Sequence, residues 1–466
     1  MWRKYVGLGP QNLFVFKDYQ TKKCFGRTKK SFILVLGITT LLAMLFIQPG
    51  SSADQNVVPA PGAQVVVPQP YVVVAPVVQQ LPSVQGGAQP AQATVQITPG
   101  LVPTKMVANK VEIPICVSAS RKGEHSIIGS HLFDGLNLFF NKMSQDNGQA
   151  KFVVRVYDAD NESDQIKAKD TIIKLSANSP IFMNLVGGAN FSAVLPTIQS
   201  KKLAMLFPIG CSDGYRINPP RETIYFRPPY EAEMEALVAY VVKRLKKKKI
   251  AILHEDGDWG ESLCSKLKGV MQKYQIKPVE VAVYPNGTVN VAQAVDAISK
   301  KFPSVVFCLA TARAASAFVR LAINKGLYRS VFVGTSELVA IQSVLRNLRG
   351  VDIITSAIVP DPLKSQLPIA KEFRDNMQKY LSNYQISTFY FEGYLSGALL
   401  CEALKIAAQP ITIDSLMTVF ENLKAVDLGG FKVAFDHATR TFSRQVWINL
   451  GNDSEFIPAE EILNNE

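Results

Sequence analysis

The chain has 466 residues, 47% hydrophobic and 19% charged, a globular balance that excludes wholesale disorder and allows a large core. The formal charge is +12, but residues 1–30 hold eight cations against one anion, Asp18, and the rest of the chain carries only +5. The basic pI therefore reports the N-terminus and gives no support to a nucleic-acid-binding domain. Six cysteines without a C-x-x-C pair exclude a disulfide scaffold and a zinc ribbon. The four histidines, His125, His131, His254 and His437, lack metal-ligand spacing.

Ser31 to Ile47 reads SFILVLGITTLLAMLFI, without a charge or a proline. Such a run spans a thin bilayer or serves as a signal h-region. Residues 1–30 form the basic flank, as a cytoplasmic segment or a signal n-region, and 31–48 the anchor or h-region. The positive-inside rule places everything beyond outside the cytoplasm. The long flank favours an anchor, while Ser51-Ser52-Ala53 offers a signal cleavage site near Ala53. Residues 49–107 read as an extended Pro/Val/Gln/Ala-rich linker, with nine prolines and one charge between 51 and 104.

From 108 to 466 the pattern is α/β. Ten short, near-continuous apolar runs begin at 111, 151, 181, 203, 223, 248, 279, 304, 330 and 352. Such runs mean strands covered on both faces, as in parallel sheets. Helical patterns over 130–143 and 231–249 lie between them, the second acidic at its start and basic at its end. Ten strands exceed one ordinary open sheet, so two doubly wound parallel-sheet lobes are expected. Lys246–Lys249 could meet phosphate or a membrane, but the reading kept is a solvated helix end.

No P-loop, G-x-S-x-G elbow or dinucleotide fingerprint is present. DADNESD (158–164) fails as a calcium loop, with Ser163 at the sixth position and Lys169 at the twelfth. What remains are polar loops after strands, where doubly wound sheets bind ligands: 117–126, 187–193, 207–214, 254–262, 310–316 and 334–337. Neither an enzyme, a metal nor a cofactor is expected.

These loops carry a resemblance. ICVSASRKGEHSIIGSHLFDGLNLFFNKM, VYDADNESDQIKAKDTIIKL, GGANFSAVLPTIQSKKLAMLFPIGCSD, HEDGDWGESL, LAINKGLYRSVFVGTSE and FYFEGYLSGALLCEAL follow one another as in the type I periplasmic binding proteins. The resemblance is to the branched-chain amino-acid (Leu/Ile/Val) branch serving ABC transporters and covers about 110 to 450. It implies two lobes with a hinge, about 108–228 plus 359–436 and 229–358 plus 437–466, closing on a solute.

Residue by residue, the resemblance implies a ligand serine at Ser192, flanked by Asn190 and Phe191, and a ligand loop at Gly210, Cys211 and Ser212. The family's first-strand aromatic falls at Ile128 and its second-lobe aromatic at Thr311. Its ammonium-pairing acid falls at Ser336, with Glu337 adjacent, and Trp259 and Tyr394 match aromatic cleft positions. From the residues alone, Ser192 could instead cap its helix, and Cys211 could be an inert buried thiol. Trp259 and Tyr394 could be core aromatics. Cys116, Cys308 and Cys401 read as core. The expectation is an extracytoplasmic protein that delivers an amino acid or similar solute to an ABC permease in the cytoplasmic membrane. The alternative is a membrane-anchored sensor or docking module on the same fold.

Overall fold

The computed structural model describes residues 100–145, 151–342, 345, 351, 353–382, 384–452 and 454–464. The expected anchor, 31–48, and most of the linker lie outside the described residues. Among those described, no helix is long and apolar enough to cross a membrane. Residues 91–466 form a compact unit of their own. Among the described residues every apolar core cluster lies inside that unit, so it carries cores of its own on which to fold.

Each expected strand run contains a strand. The first sheet holds β1 (Lys105–Val107), β2 (Lys110–Ala119), β3 (Phe152–Asp160), β4 (Ile181–Met183), β5 (Ala204–Leu206) and β6 (Thr223–Ile224). Its parallel strands lie in the order β3-β2-β4-β5-β6, with β1 antiparallel to β2. The second sheet holds β7 (Ile250–Glu255), β8 (Glu280–Tyr284), β9 (Val305–Leu309), β10 (Val331–Gly334), β11 (Ile353–Ala357), β14 (Trp447–Asn449) and β15 (Ile457–Pro458). Its order is β8-β7-β9-β10-β11-β14-β15. Both sheets thus repeat one winding, in which the strand order reverses beside the first strand.

The sheets are not wholly parallel as the apolar runs suggest. β14 pairs antiparallel with β11, and β15 with β14. A hairpin of β12 (Val426–Leu428) and β13 (Phe431–Val433) stands apart. Pairing also starts earlier than residue 108. Lys105–Val107 pair with β2, and Val102 is buried with its N–H on Ile411 O.

Helices cover both faces of each sheet. In the first lobe α2 (Gln165–Leu175) and α3 (Gly188–Ser200) pack on one face. On the other lie α1 (Ser126–Gln145), α8 (Pro368–Tyr380), α9 (Thr388–Ile406) and α10 (Ile413–Asn422). In the second, α4 (Tyr230–Ala239) and α5 (Asp258–Lys273) oppose α6 (Ala292–Ser299) and α7 (Ala312–Ala322). The central strands are fully covered, as in Ile250–Glu255, and each buried Ile, Leu, Val or Phe contributes about 1.5–3 kcal/mol. α1 and α9 approach closely because Gly135 and Gly393 lack a Cβ. A Cβ there would stand 2.0 Å from Tyr390 O and 2.1 Å from Leu132 O respectively.

α4 is shorter than its sequence pattern. After Ala239 it widens into a π-turn over Tyr240–Arg244 and stops, with Lys246 at φ 55°. Lys246–Lys249 therefore belong to the loop entering β7 and not to the helix end.

Candidate functional site

The chain crosses between lobes after β6, after β11 and after β13. At each strand-order reversal, the loops leaving neighbouring strands part and open a crevice. In the first lobe those loops follow β2 and β4; in the second they follow β7 and β9. They contain His125, Gly187–Asn190, Trp259 and Thr311, and the two crevices face each other.

On the first-lobe side, α3 starts at Gly188 behind Gly187, which sits at a φ of 102° and, as a glycine, has no side chain to cap the first turn. A Cβ at Gly187 would meet His125 Nε2 at 2.8 Å, and one at Gly188 would meet Gly210 O at 2.5 Å and Trp259 Cδ1 at 3.7 Å. Glycine at both positions lets the uncapped helix end, the loop at 210 and the opposite lobe's indole converge. Such an end favours an anion.

The expected residues divide on this frame. Gly187–Asn190, Gly210, Ser212 and Trp259 come together. Ser212 Oγ donates to Ser262 Oγ at 3.0 Å, across the lobes, and accepts from Gly214 N. Asn190 is buried, with Nδ2 on Val186 O at 2.9 Å. Trp259 is half-buried and donates to the Tyr230 hydroxyl at 3.4 Å. Thr311 precedes α7, and its N–H meets the Tyr284 hydroxyl at 3.1 Å.

Two expectations take a different place, and Ser192 loses only its alternative role as a cap. Tyr394 is fully buried in the first-lobe core between Phe139 and Phe373, with its hydroxyl held by Glu372 and Asn376, so it is not a cleft wall. Phe191 is likewise fully buried against Tyr215 and Tyr225. Ser192 is exposed and sits inside the first turns of α3, where it is no cap. Cys211 is buried, and burial pushes its thiol well above the ordinary range. Cys116, Cys308 and Cys401 are buried, with thiols pushed up to about 12.

Beyond Ser336 and Glu337, sequence reasoning missed the charged floor between the lobes. Arg227, on the first crossing, donates Nε and Nη2 to the two oxygens of Glu392 of α9 at 2.6 and 2.7 Å. Its Nη1 reaches Ser336 Oγ at 3.0 Å and Glu337 Oε1 at 3.2 Å in the second lobe. Tyr230 OH donates to the same Glu337 oxygen at 2.6 Å, while Glu337 Oε2 is buried without a hydrogen-bond partner. Glu233 accepts from Ser336 N at 3.0 Å and from the Ser356 hydroxyl. The Ser336 hydroxyl thus accepts from Arg227, and the neighbouring Glu337 is the carboxylate that stands beside it.

Three carboxylates share one guanidinium in this dry region. Burial, reinforced by the negative Glu337, raises Glu233 to about 7. Burial also raises Glu392, against the pull of Arg227. His125 is driven down to about 4 by burial, partly opposed by Glu337, and stays neutral near pH 7. Asp213, from the first lobe, accepts from Tyr230 N at 3.0 Å and Glu231 N at 3.3 Å, so it caps α4 of the second lobe.

Beside the charges lies an apolar patch of Ile128, Leu132, Val186, Ile209 and Phe389, met by Val339 and Ala340 of the second lobe. Ile128 is the aliphatic residue at the position where the family resemblance places an aromatic. Next to this patch a groove of about 280 Å³ opens between Ile127, His131, Val339, Asp361, Ser387 and Phe389.

This architecture has known counterparts. The family model described as periplasmic binding protein matches residues 112–451, and the chain belongs to that family. It is similar to a possible leucine/isoleucine/valine-binding protein from Rhodopirellula baltica SH 1, with 21% identity, a TM-score of 0.69, and coverage of 77% of this chain and 99% of that one. It is also similar to a fatty acid ABC transporter substrate-binding protein from Thermomonospora curvata, with 18% identity, a TM-score of 0.67, and coverage of 79% and 97%. A third is the branched-chain amino acid transporter substrate-binding protein LivJ from Streptococcus pneumoniae in complex with isoleucine, with 16% identity, a TM-score of 0.63, and coverage of 74% and 99%. At these identities the likeness carries the fold. No curated protein matches the chain.

Proposed function

We propose that this protein is an extracytoplasmic solute-binding protein that captures an amino acid or a related polar solute between its lobes and delivers it to an ABC importer. The observation that carries the reading is Glu337. One of its oxygens is held by Arg227 and Tyr230, and the other is buried and unpartnered. An unpaired buried acceptor is costly, and a ligand ammonium would satisfy it. The first turn of α3 with Gly210 and Ser212 offers the complementary place for a carboxylate. The apolar patch around Ile128 and Phe389 suits a hydrophobic side chain.

Lobe closure is then a hinge motion about the three crossings. The mechanism needs no covalent step. The structural neighbours named for isoleucine and for a fatty acid support a carboxylate-bearing solute in this fold. Residues 31–48 would hold the body at the outer face of the membrane, or be removed near Ala53. The family relationship does not favour the sensor or docking alternative.

Calorimetric titration of residues 91–466 with amino acids and with the matching carboxylic acids lacking the amine tests this. The amino acids should bind, and Glu337→Gln should weaken them at least about tenfold. Equal binding of the amine-free acids would remove the assignment of Glu337.

A further inference from the structure

Parallel strands all begin at one edge of a sheet. In the second lobe β8, β7, β9 and β10 are neighbours, so the loops entering them lie side by side at the pole opposite the cleft. The hydrogen bonds record this. Ser304 N donates to Lys249 O at 2.8 Å, Val279 N to Ile250 O at 2.8 Å, and Val331 N to Ser304 O at 3.0 Å.

Those loops are strongly basic. They present Lys246, Lys248, Lys249, Lys277, Lys300, Lys301, Lys325 and Arg329 to solvent, with Lys247 half-buried among them. Among the described residues two carboxylates pair with them: Glu280 lies 3.9 Å from Lys301, and Asp296 lies 2.9 Å from Lys325. Nine cations against two anions is a surplus of seven. All of residues 31–466 together carry +5, so the charge excess of the body is concentrated at this pole. Two large rings stand in the same loops, Phe302 at 67% and Tyr328 at 65% exposure.

We propose that this pole is a docking face for the anionic surface of a lipid bilayer. Clustered lysines and arginines are drawn to acidic headgroups, and exposed aromatic rings settle at the depth where headgroup meets acyl chain. Cations alone would suit any polyanion, whereas cations ringed around Phe302 and Tyr328 suit a surface that is charged outside and apolar beneath. The same chain carries the uncharged run Ser31–Ile47 behind a basic flank, the pattern expected of a segment that enters a membrane. The basic face lies away from the crevice loops, so docking leaves the cleft free. The inference does not depend on which solute the cleft holds.

Flotation of residues 91–466 with vesicles tests it, using phosphatidylglycerol mixed into phosphatidylcholine against phosphatidylcholine alone. The protein should float with the anionic vesicles and stay behind with the neutral ones. Binding should weaken as salt rises from roughly 50 to 500 mM. Lys248→Glu, Lys249→Glu and Lys301→Glu together should lower partitioning at least about tenfold. Phe302→Ser with Tyr328→Ser should remove the part that survives high salt. Circular dichroism of each variant separates lost docking from lost folding. Equal partitioning into both vesicles, indifference to the lysine reversals, or tighter binding to single-stranded DNA than to anionic vesicles would overturn the proposal. No solute enters the experiment, so its failure is distinct from failure of the cleft reading.

Discussion

Arg227 grips Glu392 through two hydrogen bonds of 2.6 and 2.7 Å, and both side chains are almost wholly excluded from water. The same guanidinium reaches Glu337 of the other lobe, so one buried cation ties the two lobes and the first crossing together. Removing one member of a buried pair leaves an uncompensated charge. Arg227→Met should therefore cost about 3–5 kcal/mol in urea unfolding of residues 91–466. A loss below about 1 kcal/mol would mean that the pair is solvated in solution.

The raised Glu233 sets a pH dependence. Its folded pKa of about 7 lies above that of an ordinary glutamate, so between these values the folded state holds the extra proton. Its contribution favours folding at acid pH and is lost as pH rises from about 4.5 through 7. Glu233→Gln should remove this downward slope. His125 acts in the opposite sense, because its folded pKa of about 4 makes the unfolded state the better proton acceptor between there and about 6.5. Stability curves from pH 4 to 8 for the wild type and Glu233→Gln check the sign. A slope unchanged by the substitution would contradict it.

Trp259 donates to the Tyr230 hydroxyl, and its ring lies where a Cβ at Gly188 of the other lobe would meet it at 3.7 Å. Trp447 packs on Phe431 and serves as an internal control. A bound solute should change the tryptophan emission of residues 91–466. The change should persist in Trp447→Phe and vanish in Trp259→Phe. Persistence in the second variant would remove Trp259 from the site.

Gly393→Ala should cost about 1–3 kcal/mol, because its new methyl would press on the backbone of α1 at Leu132. Chemical denaturation measures it. A neutral effect would show that α1 and α9 can separate freely.

The strands of both sheet centres were legible because burial on both faces demands continuous apolar runs, as in KKIAILHED and SVVFCLA. The edges were not. β14 and β15 span three and two residues, too few for a period to show. The β12–β13 hairpin did carry a signal, the alternating VDLGGFKV with Gly429 and Gly430 both at positive φ. The turns at Gly187–Gly188 and Gly210 were readable from strand-end loops. The charged half was hidden, since Arg227 ends an apolar strand run and Glu392 lies within FYFEGYL. A glutamate set within so apolar a run as FYFEGYL is the mark of a buried partner, and that mark was available. Tyr394 misled because an aromatic on a cleft helix and one on its core face have the same local sequence.

The most direct test is the melting temperature of residues 91–466 against a panel of amino acids, peptides and small carboxylic acids. A solute at one hundred times its dissociation constant adds about 2.7 kcal/mol to the stability of the protein that binds it. A clear upward shift is expected for amino acids, lost in Glu337→Gln and in Trp259→Ala. A folded protein whose melting is indifferent to every amino acid on the panel would contradict it.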